Sequence, residues 1–187
     1  PDVHAHYLED EDWRGWFSGP VYDNPAPFSW TIYAKGSWVV WMLRHVIGDD
    51  AFFDAMAAYR SAGAGATATT DDLKQAMETA SGEELDWFFE QFLFRPGHPV
   101  FEVSSNWDAG SEEVSLRVRQ VQSEDHGPPV YRTPVRIGIV TSAGKRVEEV
   151  WLDEKDETFV FPVPEEPLLV RFDEGNWLLK EWSYPKS

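Results

Sequence analysis

Near residue 98 the chain changes its composition, and this limits the folds open to it more than any other feature. Alanine occurs 13 times in residues 1–98 and twice in 99–187, while valine occurs 5 times and then 13 times. Alanine loses little on entering a helix, and the branched valine side chain packs well on a pleated surface. The order predicts an α+β chain, with a helical part over residues 1–97 followed by a β part over 98–187. Arg95-Pro-Gly-His-Pro99, a run of breakers, suits the junction.

Within the helical part the periodicity predicts a helix from about Ile32 to Ile47, with Tyr33, Gly36, Val40, Leu43 and Ile47 on one face. Trp38 and Trp41 make most of its circumference apolar, so it is expected to lie buried between other elements. Gly48 ends it, and Asp49 or Asp50 is expected to cap a second helix from Ala51 to about Tyr59. Thr70 is read as the cap of a third helix, with Asp71 and Asp72 in its first turn. Ser81-Gly-Glu-Glu84 has the spacing of a capping box leading into Leu85, Phe88, Phe89 and Phe92. Residues 1–27, rich in aromatics and proline, are expected to be an irregular lead-in.

From Pro99 the period becomes two. Val114, Leu116 and Val118 alternate with polar residues, as do Val135, Ile137 and Ile139. Val150 and Leu152, Phe159 and Phe161, Leu168 and Val170, and Trp177 and Leu179 repeat the pattern. About seven short strands separated by turns predict an antiparallel β-sandwich.

Charge and composition exclude several functions. Lys and Arg number 16 against 33 Asp and Glu, a formal charge of −17, which argues against nucleic-acid and anionic-membrane binding because both need a basic surface. No run approaches the roughly eighteen apolar residues of a membrane span. The absence of cysteine removes thiol nucleophiles, thiolate metal sites and disulfides. The compartment is not read from these features. The chain opens on Pro1 rather than Met and is read as a piece of something longer.

The histidines are His4, His6, His45, His98 and His126, and no two have the His-Glu-x-x-His spacing that grips zinc. The pair His4 and His6 is expected to be solvated, and His45 to sit at a helix C-terminus where the dipole favours imidazolium. Acidic pairs such as Glu83-Glu84 and Glu165-Glu166 read as solvated surface. Ser37 lacks a nucleophile-elbow setting, and Ala62–Ala66 holds no lysine for a phosphate. Of ten tryptophans, only Trp107, Trp151 and Trp177 could form a carbohydrate platform, and core packing is favoured for them.

An ordered series of short motifs remains: Tyr33-Ala-Lys-Gly36, then Leu43-Arg-His-Val-Ile-Gly-Asp-Asp-Ala-Phe-Phe53, Thr69-Thr-Asp-Asp-Leu73, Ala80-Ser-Gly82, Trp87-Phe-Phe89 and Pro96-Gly-His-Pro99. Over residues 28–100 this series resembles the M1-family zinc aminopeptidases (gluzincins), downstream of their metal site. Leu116-x-Val-x-Gln-x-Gln122 and Phe172-Asp173 before Leu178-Leu179 extend the likeness more loosely to about residue 182. The resemblance implies the C-terminal half of a thermolysin-like catalytic domain followed by a β-sandwich. It implies peptide substrates, with zinc held by an upstream half of the domain and none bound by these residues. One site residue follows from it: Tyr33, whose phenol would donate to the oxyanion formed at the peptide carbonyl. The resemblance also implies that the chain by itself is inactive. A non-catalytic M1-like scaffold and a carbohydrate-binding sandwich are the other two readings, separable by whether a His-Glu-x-x-His lies upstream and whether glycans quench Trp fluorescence.

Overall fold

The computed structural model describes residues 19–25, 28–29, 31–124 and 127–184. His4, His6, His126 and most of the expected lead-in lie outside them. Two compact units divide the chain, Pro1–Pro96 and Gly97–Ser187, and the class is α+β.

The first unit opens on a π-helical turn, Thr31–Lys35, which runs directly into helix α1, Gly36–Ile47. The buried stripe is Lys35, Val39, Met42 and Leu43, while Tyr33, Val40 and Trp41 are exposed. This corrects the expected face. A π-helical turn carries one residue more than an α turn, so counting at 3.6 residues per turn from Tyr33 puts the stripe out of phase. Burial of the helix is accordingly incomplete, with Trp41 38% accessible and Arg44 lying 5.3 Å from its ring centre.

Gly48 separates α1 from α2, Asp49–Ala62. Asp49 does not cap that helix; its carboxylate takes both Nε and Nη2 of Arg44, at 2.9 and 2.8 Å. Helix α3, Thr70–Ser81, is capped by Thr69 rather than Thr70. The Thr69 hydroxyl accepts from Asp72 N, and Asp72 reaches back to Thr69 N at 2.8 Å. This reciprocal pairing satisfies two donors that a helix start leaves orphaned, worth about 1 kcal/mol. The box expected at Ser81–Glu84 does not form. Ser81 is the last residue of α3, and Gly82 takes the left-handed conformation (φ 74°) that closes it. Leu85 N bonds Glu78 Oε1 instead. Helix α4 is a single turn, Asp86–Phe89, continued by a second π-helical turn, Glu90–Phe94. Phe88 packs against Phe89 and Phe92, at ring separations of 5.9 and 5.1 Å. All three are essentially buried, and each such ring contributes about 1.5–3 kcal/mol of burial free energy.

The second unit is two sheets. One has the order β5-β2-β1-β7 and the other β4-β3-β6. The strands are β1 Val100–Asp108, β2 Glu113–Gln120, β3 Thr133–Thr141, β4 Gly144–Leu152, β5 Asp156–Pro162, β6 Leu169–Phe172 and β7 Glu181–Ser183. All pairings are antiparallel except β1 with β7. Phe101, Val103, Val114, Leu116 and Val118 line the inner face of the first sheet; Val135, Ile137, Ile139, Val170 and Phe172 line that of the second. Phe101 meets Phe172 edge-on at 5.2 Å across the core.

The alternation at Trp177 and Leu179 is not a strand. It belongs to a loop wound around Asp173, whose two carboxylate oxygens accept Trp177 N and Leu178 N at 3.0 Å. Lys180, buried beside it, completes the ion pair. Gln120 and Gln122 also have structural roles. The Gln120 amide pairs both ways with the Tyr131 backbone, at 2.8 Å each, and Gln122 accepts from Val100 N. Two side chains thereby replace strand neighbours that the irregular segment before β3 lacks.

Candidate active site

Tyr33 lies in the middle of the first π-helical turn and is 57% accessible. The turn is fixed from both ends. The Ser29 carbonyl accepts Ile32 N at 3.1 Å and Tyr33 N at 3.4 Å, and the Ser37 hydroxyl donates to the Ala34 carbonyl at 2.9 Å. Val21 N and Tyr22 N both donate to the Leu93 carbonyl, bringing the segment before the turn onto the second π-helical turn, where Tyr22 sits edge-on against Phe94 at 5.1 Å.

Two residues after Tyr33, Lys35 is completely enclosed and its Nζ donates to the Arg95 carbonyl at 2.9 Å. Burial penalises the ammonium and pulls its pKa from 10.5 down to about 7. Sequence reasoning assigned Lys35 no role. The signal was present: Lys35, Val39 and Met42 are spaced by four and three, so the lysine falls on the helix's own apolar stripe.

The remaining residues singled out from the sequence do not join Tyr33. His45 is in the last turn of α1. His98 pairs its Nε2 with Glu181 Oε1 at 2.8 Å, in the second unit. Among the described residues no three His, Asp or Glu side chains are gathered as metal ligands. These residues therefore do not fit a catalytic zinc, and no chemical step is assigned to one. Glu83 and Glu84 are exposed, whereas Glu165 holds the β3–β4 turn through the Ser142 hydroxyl and Ala143 N, at 2.7 and 3.0 Å. Hydroxyl donation from Thr141 and Ser142 holds its carboxyl below the usual range. Trp107 is tied by Nε1 to the Val163 carbonyl at 3.0 Å, Arg132 covers Trp151 at 4.6 Å, and Arg136 approaches Trp177 at 5.9 Å.

Residues 20–92, which contain the first π-helical turn and all four helices, match the sequence profile of the peptidase family M1 domain. Over these residues the chain resembles an M1-family aminopeptidase fragment. Aminopeptidase N of Escherichia coli (strain K12) is 27% identical over 176 residues, 83% of this chain and 20% of that protein. Aminopeptidase N of Streptomyces lividans is 31% identical over 145 residues, 72% and 17% of the two chains. Among solved structures, Legionella pneumophila aminopeptidase A in complex with aspartic acid superposes with a TM-score of 0.70 at 18% identity, covering 86% of this chain and 18% of that one. At that identity the superposition speaks for the fold. The chain spans at most a fifth of the length of these curated relatives.

Proposed function

We propose that this chain supplies the oxyanion-binding side of an aminopeptidase active site, in a protein that hydrolyses N-terminal peptide bonds. The first unit is the helical part of the metallopeptidase catalytic domain and the second the β-sandwich domain that follows it in sequence. The observation that carries the reading is Tyr33 itself. Its side chain is accessible, yet it stands on a turn whose other side is buried and hydrogen-bonded. A phenol held this way meets the requirement for electrostatic catalysis. It can donate to the scissile carbonyl oxygen as that oxygen gains charge, without reorganising at the moment of reaction. Interactions that strengthen only as charge develops raise kcat rather than tightening substrate binding.

Zinc would be held by residues of an upstream half of the catalytic domain, which is the partner this reading requires. Exposed aromatic side chains in the first unit are consistent with such a partner, since Phe28 is 83% and Tyr22 51% accessible.

The deciding experiment is Tyr33→Phe in the full-length protein. The reading expects kcat for an aminoacyl-anilide to fall about a hundredfold or more with zinc content unchanged. An unchanged kcat would sink it. A wild-type protein with neither zinc nor activity would leave Tyr33 as a packing residue on a scaffold.

A further inference from the structure

Lys35 is a poor choice if its only task is to fill space. It sits on the stripe that Val39 and Met42 continue, completely enclosed, where a Met side chain would give similar volume without the cost of desolvating an amine. Lys180, the other lysine buried among the described residues, is matched by the Asp173 carboxylate. The hydrogen bond of Lys35 goes to a neutral carbonyl, that of Arg95.

What Lys35 can do and Met cannot is donate to that carbonyl. Arg95 follows the second π-helical turn, Glu90–Phe94, at a helix end where carbonyls lose their helical partners. The bond spans 60 residues of sequence and joins the turn that carries Tyr33 to the turn that ends the first unit. Residues two apart on a helical turn face nearly opposite ways. Holding the Lys35 amine inside therefore sets the rotation of the turn about its axis, and with it the direction of the residue on the other side. The accessibilities agree, 0% for Lys35 and 57% for Tyr33.

We infer that Lys35 is a positioning residue for Tyr33, its Nζ–H···O=C bond to Arg95 fixing the rotation of the Thr31–Lys35 turn so that the phenol is presented outward at a set orientation. This rests on the oxyanion reading of Tyr33 for its catalytic meaning, but not for its geometry. It separates stability from function at one residue, because the amine weakens the fold while it orders the turn.

The test is a double-mutant cycle in the full-length protein with Lys35→Met, Tyr33→Phe and both. Lys35→Met is expected to keep or raise Tm, lower kcat about tenfold to a hundredfold, and leave KM nearly unchanged. In the Tyr33→Phe background it should lower kcat no further. Lys35→Gln, which keeps an N–H donor on a shorter stem, should recover part of the loss. Where Tyr33→Phe lowers kcat, an unchanged kcat in Lys35→Met overturns the inference. So does a kcat loss that comes with a lowered Tm or failure to fold, or one that persists in full in the Tyr33→Phe background.

A second readout separates failure of the inference from failure of the oxyanion reading. With 3-fluorotyrosine incorporated, Tyr33→Phe identifies the Tyr33 fluorine line. If Tyr33→Phe leaves kcat unchanged, the oxyanion reading falls. The positioning role then stands if Lys35→Met shifts that line and leaves the other tyrosine lines in place, and it falls if the line does not move.

Discussion

At the scale of the residue, Lys35 gives folding a pH dependence of definite sign. Its amine titrates near 10.5 in the unfolded chain and near 7 when buried. Between those values the unfolded chain carries the extra proton, so stability rises with pH across the window and falls again on return to neutrality. Carboxylates stay ionised throughout that window and do not obscure the effect. The amplitude is roughly 3–5 kcal/mol. Chemical denaturation of wild type and Lys35→Met, near neutral pH and near pH 10, checks it: wild type should gain on the variant as pH rises, and parallel curves would exclude it. Tyr33 stands out in the sequence because the motifs around it resemble a known series. Lys35 was not, since lysine is by default a solvent residue and only its place on the stripe argues otherwise. The stripe itself was misread at its first turn because a fixed helical period has no place for an extra residue.

At the scale of the element, the loop between β6 and β7 depends on Asp173, whose left-handed backbone (φ 53°) starts it and whose carboxylate gathers Trp177 N, Leu178 N and Lys180. Asp173→Ala leaves the Lys180 ammonium buried without its counter-charge. It is expected to cost about 3–5 kcal/mol, read as a lowered denaturation midpoint. Adding Lys180→Met should recover most of that loss; no recovery would mean the carboxylate acts chiefly on the backbone. The sequence reading extended the strand pattern through Trp177 and Leu179, because alternation alone does not tell a pleated strand from a loop whose amides bond a side chain. The same limit moved a helix cap by one residue. Thr69 and Thr70 are chemically alike, and what distinguishes them is that Asp72 lies three residues after the first. The inner faces around Val114, Leu116 and Val118, and around Val135, Ile137 and Ile139, were legible throughout, because in each strand the large apolar residues alternate with other residues and the apolar set is buried.

At the scale of the whole molecule, the proposed function divides catalysis between these residues and an upstream half. The 187-residue chain supplied with zinc is expected neither to retain it stoichiometrically nor to turn over an aminoacyl-anilide, as metal analysis after gel filtration and a rate assay would show. Stoichiometric zinc with turnover would mean that ligands lie among the residues outside those described. The α+β class was legible as a change in composition because helices and strands draw on different backbone geometries, and alanine and valine sort between the two. The π-helical turn at Thr31–Lys35 has one more consequence, for how this sequence can change by descent. A π-helical turn holds one residue more than an α turn, so loss of one codon there would return it to α geometry and turn Tyr33 by about 100° about the axis relative to α1. An indel, rather than a replacement, is what re-aims the phenol.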